Sequence, residues 1–414
     1  MKISDLNELR EPVKIVMIGA GNRARKYLEY IISTPERARV VGVVEPNALR
    51  RNAMADHCNL PAEARYDSVE NFFNAGKVAD GVIIATPDIY HYEHSMRAIS
   101  LGYHVLLEKP IAQTDAEAAD IARAAAEAGV VCNVCYVLHF HPYFVKLREL
   151  ARSGRLGHIV SVSHRSPVGI DRSTHVYVRG AWGRKETSGP LLTSKCCHDI
   201  DYILWLTGSR CRNVSSYGSL GWFTPANAPV GSARRCIDCQ VEDTCPYSAV
   251  DLYRRRREWI SNFDVPEGMT MDDAIERELA SDPYGRCVYH CDNDVVDRQV
   301  VAMEMESGVT VDFAMDLFTP DCRRTTRIIM TNGEIIGNER TITVNKLRPR
   351  ESEYYDFSDL VGTAFHAGAD LMTVGNFIDA IDGKGDDSCT DICSALESQR
   401  TCDAIEESRL KHNG

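Results

Sequence analysis

Two stretches of this 414-residue sequence place glycines, carboxylates and thiols at spacings that can do chemistry. The first is Gly19-Ala20-Gly21-Asn22-Arg23-Ala24, directly after the apolar run Val13 to Ile18. Glycine at 19 permits a tight turn, and glycine at 21 lets a pyrophosphate approach the backbone. Small Ala24 permits close packing of a following helix on the strand. The start of that helix, Asn22 and Arg23 included, presents free amides and partial positive charge to phosphate. Glu45 ends the next apolar run, 24 residues beyond Gly21. A carboxylate there accepts hydrogen bonds from ribose hydroxyls and repels a 2′-phosphate, which favours NAD over NADP. The competing reading of Glu45 is a surface carboxylate at a strand end, and Arg50 and Arg51 weaken the preference for NAD.

The second stretch is Cys236-x2-Cys239-x5-Cys245-Pro246, with Cys287-x3-Cys291 well downstream. Close cysteine pairs joined by a long loop suit tetrahedral thiolate coordination. The spacing predicts a structural Zn²⁺ held by Cys236, Cys239, Cys245 and Cys287, with Cys291 or His290 as the alternative fourth ligand. An iron–sulfur cluster is the second option, and unligated thiols are the third. An inserted subdomain with little core would gain stability from such a staple.

The elements that must position these groups follow from hydrophobic period. Val13 to Ile18, Val40 to Glu45, Gly81 to Thr86, Val105 to Leu107 and Val130 to Tyr136 read as buried strands. Helical patterns cover Asn22 to Ser33, His91 to Leu101 and Asp115 to Ala128 between them. This alternation implies a doubly wound parallel sheet. Farther on, His158 to Arg165, Val300 to Phe318, Arg327 to Ile336 and Arg340 to Val344 are rich in β-branched and alternating residues, with Asn332-Gly333 as a turn. A helix is expected near Ser194 to Leu206, and two more over 366–382 and 389–408. The expected fold class is α/β: an N-terminal Rossmann domain over 1–135, then an α/β domain over 136–414 with a large, mainly antiparallel open sheet. The cysteine-rich insertion is placed at about 211–297.

Hydrophobic residues make up 44% of the chain and charged residues 26%, and the net charge is −12. An acidic protein lacks the field that gathers nucleic acid or anionic lipid, so neither is expected as a partner. The basic run Arg254 to Arg257 reads as a solvated helix face. The polar N-terminal stretch has no apolar signal core, and no run is long enough to span a bilayer. Fifteen cysteines without a secretion signal point to reduced thiols and a cytoplasmic setting. An open antiparallel sheet often buries its free face against another subunit, so a homodimer or homotetramer is expected.

Three further segments, Ala85-Thr86-Pro87-Asp88 with His91, Glu108-Lys109-Pro110, and Tyr136 to Pro142, together with the glycine motif, resemble the Gfo/Idh/MocA oxidoreductases. The combination is specific, although no single piece is. The resemblance implies that Thr86, Pro87, His91, Glu108 and Lys109 line the cofactor. It also implies that Lys109 meets the substrate hydroxyl, and that Tyr136 and His139 stand on the substrate side. An alternative for Tyr136 is a packed hinge residue. Taking hydride from a carbinol also requires the hydroxyl proton to leave, and a nearby ammonium stabilises the developing oxyanion. The family's second motif, an Asp followed four residues later by His, reads here Ser194-Lys195-Cys196-Cys197-His198-Asp199. His198 matches, but the Asp position is Ser194, so the usual pair cannot form. Lys195, His198 and Asp199 can share one helix face, which makes Lys195 and His198 proton-transfer candidates and Asp199 a substrate contact. The alternative is a packing histidine with Lys195 paired to Asp199.

Three functions compete. The first is an NAD-dependent dehydrogenase of a sugar, glycoside or cyclitol hydroxyl. The second is a redox-neutral glycoside-cleaving enzyme with retained NAD, which oxidises C3, eliminates the C1 substituent, adds water and re-reduces. The third is an NAD-binding sensor without catalysis.

Overall fold

The computed structural model describes residues 11–262, 265, 268–281, 283–385 and 390–412. The polar lead 1–10 and Cys389, the first residue of the last expected helix, lie outside the described residues. The chain divides into two compact units, one of Met1–Val145 with Leu360–Gln399, the other of Lys146–Asp359 with Arg400–Gly414.

In the first unit, strands β1 (Val13–Ile18), β2 (Ala38–Val44), β3 (Arg65–Tyr66), β4 (Gly81–Ile84), β5 (His104–Leu107) and β6 (Cys132–Val134) form a six-stranded sheet in the order β3-β2-β1-β4-β5-β6. All five pairings are parallel. This is the doubly wound Rossmann order, with its switch point beside β1. β1 and β4 are almost wholly buried and apolar, as strands covered on both faces must be. The helix Asp115–Ala128 begins with a capping box on Thr114 and Glu117 and ends at Gly129 in the left-handed region. The β3 pair and the helix Ala48–His57, capped by Asn47, carry too few apolar residues to be legible beforehand.

The two compact units divide the expected second domain, 136–414, between them. The helix Ala369–Ile381 returns to the first unit, where Val374, Phe377 and Ile378 share one core with Tyr27, Tyr30, Ile31 and Leu106.

The second unit holds an eight-stranded sheet of β7 (Ile159–Gly169), β8 (Cys211–Ser219), β9 (Arg298–Met305), β10 (Thr310–Thr319), β11 (Thr325–Met330), β12 (Gly333–Gly337), β13 (Thr341–Lys346) and β14 (Ser352–Asp356). Its order is β14-β13-β12-β11-β7-β10-β9-β8. Only β7 and β10 pair in parallel; the other neighbours are antiparallel. β8 corrects the start of the insertion. Cys211–Ser219 is an edge strand registered on β9, from Cys211 opposite Met305 to Ser219 opposite Arg298. The insertion therefore occupies about 220–297 and has its own small core around Ala249, Leu252, Tyr253, Ile275 and Leu279. Its arginine run meets carboxylates: Arg254 pairs with Glu276, Arg255 and Arg256 with Asp171, and Arg257 with Asp272.

Candidate active site

The glycine loop in the first unit is shaped by two different constraints. Gly19 sits at φ +97°, and a Cβ there would lie 2.5 Å from the Ala85 carbonyl oxygen. Only glycine fits so close to the neighbouring strand end. A Cβ at Gly21 would meet nothing within 4 Å. Gly21 caps the helix Asn22–Ser33 with no side-chain hydrogen bond and no acid in the first turn. The helix N-terminus thus has no side-chain cap and no competing carboxylate in its first turn, the arrangement that suits a pyrophosphate. Gly19→Ala is thus expected to lower the melting temperature, through about 1–3 kcal/mol of clash and backbone strain. Gly21→Ala should leave melting nearly unchanged yet weaken NAD binding about tenfold. Thermal melts and cofactor titration of the two variants separate the effects, and equal melting losses would contradict this account.

Glu45 accepts hydrogen bonds from the backbone amides of Ala20 (2.9 Å) and Asn47 (3.0 Å). Its carboxylate is thereby held against the glycine loop, where ribose hydroxyls would be received.

Arg23 and Glu108, both expected as cofactor contacts, are joined to each other. Arg23 Nε donates to Glu108 Oε1 at 2.5 Å, and Arg23 Nη2 donates to the Tyr27 hydroxyl and to Asp370 Oδ1 (2.9 Å). The Tyr27 hydroxyl donates to Glu108 Oε1, and Glu108 Oε2 accepts from the Lys109 amide at 3.1 Å. This knot ties the Glu-Lys-Pro loop to the first helix. Burial would raise the Glu108 pKa, but the Arg23 and Lys109 charges outweigh it and hold the carboxyl ionised. Asp88 is also within electrostatic reach of Lys109, and burial raises its pKa. His91 is wholly buried, with Nδ1 2.7 Å from the Pro110 carbonyl and Nε2 3.0 Å from the Thr86 carbonyl. It couples the Thr86-Pro87 turn to the Lys109 loop. Thr86 Oγ1 lies 3.2 Å from His94 Nδ1. Tyr136 and His139 flank the end of β6, both buried.

Asp370 anchors the far side of this knot. Burial alone would raise its pKa; the His366 hydrogen bond and the Arg23 charge win and bring it to about 2. A carboxyl depressed in the folded state stabilises above its unfolded pKa and loses that contribution as pH falls through the folded value. About 2 kcal/mol should therefore disappear between pH 4 and 2. Asp370→Asn should flatten that part of the acid-melting curve, and an unchanged acid limb would refute the assignment.

In the second unit, Lys195 lies in a widened, π-type turn, Leu192–Cys196, that runs into the helix Cys197–Thr207 carrying His198 and Asp199. Such turns offset the helical register and recur at functional sites. Lys195 and His198 are half-buried; Asp199 is fully buried. Desolvation lowers the Lys195 pKa, Arg324 adds to the effect, and Asp199 opposes it. Asp199 Oδ1 accepts from His164 Nε2 at 3.1 Å and from Arg324 Nε, and Oδ2 accepts from Ser166 Oγ at 2.9 Å. Arg324 also pairs with Glu339 at 3.2 Å, and His164 Nδ1 lies 2.8 Å from Thr326 Oγ1. Burial would raise the Asp199 pKa, but Arg324 and the His164 bond drive it far below the ordinary range. Beside this network Cys196 and Cys197 are buried, and burial raises the Cys196 thiol to about 12. They pack rather than act as nucleophiles.

Tyr27 could have been found from the sequence, one helical turn beyond Arg23. Asp370, His164, Ser166, Arg324 and Glu339 gave no signal, since strand and helix pairing alone brings them in.

The zinc expectation is not met by the geometry: among the described residues, no group of three or more His, Cys, Asp or Glu side chains is arranged to hold a metal ion. Cys236, Cys239, Cys245 and Cys287 line one small cavity together with Arg179 and Glu242. Cys291 donates its thiol to the Cys287 carbonyl at 3.2 Å, and His290 is exposed.

A parallel sheet in this order, with an open glycine at a bare helix N-terminus and a ribose-side carboxylate, defines a dinucleotide-binding Rossmann protein. The residues fit NAD: the Gly19–Gly21 turn and the first amides of the helix would hold the pyrophosphate, and Glu45 the ribose. The chain belongs to the Gfo/Idh/MocA oxidoreductase family. The model of its NAD-binding Rossmann fold matches residues 13–136, and that of its C-terminal alpha/beta domain matches residues 148–412.

Similar curated proteins include an inositol 2-dehydrogenase of Corynebacterium glutamicum, 26% identical over 50% of this chain and 57% of that protein. A D-glucoside 3-dehydrogenase of Escherichia coli is 27% identical over 51% of this chain and 59% of that protein. The matches thus span less than two thirds of these relatives. An oxidoreductase from Agrobacterium radiobacter, solved with NAD+, L-tartaric acid and magnesium, has the same fold, with TM-score 0.70 at 15% identity over 96% of both chains. Among the described residues, no helix is long and apolar enough to cross a membrane.

Proposed function

We propose that this protein is an NAD-dependent dehydrogenase of a sugar, glycoside or cyclitol hydroxyl, working in the cytoplasm. The observation that carries the reading is the Lys109 loop: an amine on a strand-end turn, tied through Glu108, Arg23 and Tyr27 to the helix whose N-terminus suits a pyrophosphate. When bound, NAD supplies the hydride acceptor. Lys109 takes the role of steadying the substrate oxygen as its proton leaves. His198 and Lys195 are the further proton-transfer groups, Lys195 because burial brings an ammonium toward release of its proton. Tyr136 and His139 are proposed on the substrate side. The saturation of Asp199 favours a positioning role over the substrate contact expected for it.

The test incubates the purified protein with NAD+ and a panel of sugars, cyclitols and aryl glycosides, following NADH absorbance and aglycone release together. Stoichiometric NADH supports the dehydrogenase. Aglycone release without net NADH would instead identify redox-neutral cleavage, and neither signal with NAD still bound would leave a sensor. A homodimer or homotetramer is also proposed, because register turns Tyr217, Val300, Ile336 and Tyr354 outward from the large sheet. Light scattering of the wild type and of Val300→Lys tests it; an unchanged monomer would refute it.

A further inference from the structure

We infer, on the proposed dehydrogenase reading, that Arg172 is a specificity-determining residue: it receives an anionic group, a carboxylate or a phosphate, carried by the sugar substrate. Arg172 ends the short helical turn Ile170–Arg172 that follows β7, and it is exposed. The backbone on either side is pinned. The Gly169 amide donates to Cys322 Sγ at 3.1 Å. Ser173 Oγ donates to the Val168 carbonyl (2.7 Å) and Thr174 Oγ1 to the Ile170 carbonyl (3.0 Å). The insertion holds the same stretch from its own side. His175 Nδ1 lies 2.7 Å from the Tyr253 hydroxyl, and its ring stacks on Tyr284 with centroids 4.6 Å apart.

The carboxylates around Arg172 are all taken by other cations. Its neighbour Asp171 is held by Arg255 (3.0 Å) and Arg256 (3.1 Å) of the insertion, whose hydrogen bonds keep the carboxyl below its ordinary range. Asp321 is held by Arg323, and Asp199 and Glu339 by Arg324. Among the described residues, no carboxylate pairs with Arg172 or with Lys195. These two cations are nonetheless within electrostatic reach of each other. Burial lowers the Lys195 pKa first, and the Arg324 and Arg172 charges lower it further. Arg172, Lys195 and Arg324 therefore share one positive field, in a chain whose net charge is −12. Like charges so placed repel, and an anion bound among them relieves the repulsion.

Arginine suits the task. Its planar fork receives a carboxylate or a phosphate through two parallel N–H···O bonds, stays charged at any working pH, and is more weakly hydrated than an ammonium. The pinned backbone leaves only the side chain to be ordered when the anion arrives, which limits the entropic cost of binding. A neutral sugar leaves the fork in water and gains nothing from it. The insertion contributes by occupying Asp171: with Arg255 and Arg256 in place, that carboxylate does not compete with substrate for Arg172.

The NAD-loaded full chain is titrated by calorimetry with D-glucuronate, D-galacturonate and D-glucose 6-phosphate, and with D-glucose and D-galactose as their neutral parents. NADH formation from the same sugars is recorded separately. The expected result is a Kd about 10–100-fold lower for an anionic sugar than for its neutral parent. A gain for the uronates names the carboxylate, and a gain for the phosphate ester names the phosphate. Arg172→Gln should abolish the gain and Arg172→Lys should restore part of it. Arg165→Gln, exposed on the open face of the sheet, should keep it. No gain for either anion, or a gain that survives in Arg172→Gln, overturns the assignment. Anionic sugars that bind through Arg172 without forming NADH would count against the dehydrogenase and leave Arg172 as the anion reader. Neutral sugars bound and oxidised as well as charged ones would remove that role from Arg172 and leave the dehydrogenase standing.

Discussion

Lys109→Ala should lower kcat/KM about 10²–10⁴-fold, the range of a lost proton-transfer group, while NAD still binds. The loop that carries residue 109 is held through its backbone: Glu108 accepts the Lys109 amide and is itself gripped by Arg23 and Tyr27. Removing the amine therefore leaves the loop and the neighbouring glycine turn in place. Arg23 still holds Glu108 ionised, so the main loss is the stabilisation of charge developing on the substrate oxygen, and that effect falls on kcat. Lys109→Arg keeps the charge but not the point-like ammonium, and should recover little. The measurement is initial NADH formation beside a cofactor titration on the same preparation. Full activity in Lys109→Ala would remove the site assignment.

The largest stability effect is expected at Asp199. Its carboxylate is fully buried and receives Arg324, His164 and Ser166. Asp199→Ala takes the carboxylate from the imidazole and leaves the guanidinium with Glu339 alone, and breaking a buried pair from one side costs about 3–5 kcal/mol. In a unit of this size that is a fall of roughly 10 °C in melting temperature. Asp199→Asn keeps the shape and part of the bonding. Its amide oxygen can still accept a hydrogen bond from Arg324 or His164, so the Asn variant should lose less. Because Asp199 also favours the charged form of Lys195, the folded Asn variant should move the Lys195-dependent limb of the pH–rate profile to lower pH, a shift that simple loosening would not give. An Ala variant as stable as the wild type would show that the network does not carry the load assigned to it.

Most of the first unit was legible. Val13–Ile18, Asn22–Ser33 and Asp115–Ala128 were read to the residue, because buried strands, glycine turns and capping residues are local signals. The β8 edge strand was absorbed into the insertion. Its pattern, CRNVSSYGS, is polar, and only pairing with β9 makes it a strand. Arg23 and Glu108 are legible as motif residues, but their ion network with Tyr27 and Asp370 is not, because it joins segments far apart in the chain.

The amino-acid order by itself determined the parallel sheet, the glycine turn and the alternating strands of the second unit, since each depends on residues a few positions apart. Tertiary structure alone decided what those residues touch. Asp370 reaches Arg23 across 347 positions and Arg324 reaches Asp199 across 125; the helix Ala369–Ile381 joins the first core; and four distant thiols share a cavity with one buried arginine. The reason is physical: a desolvated charge must find a partner wherever the packed chain places one, and no local periodicity records that demand.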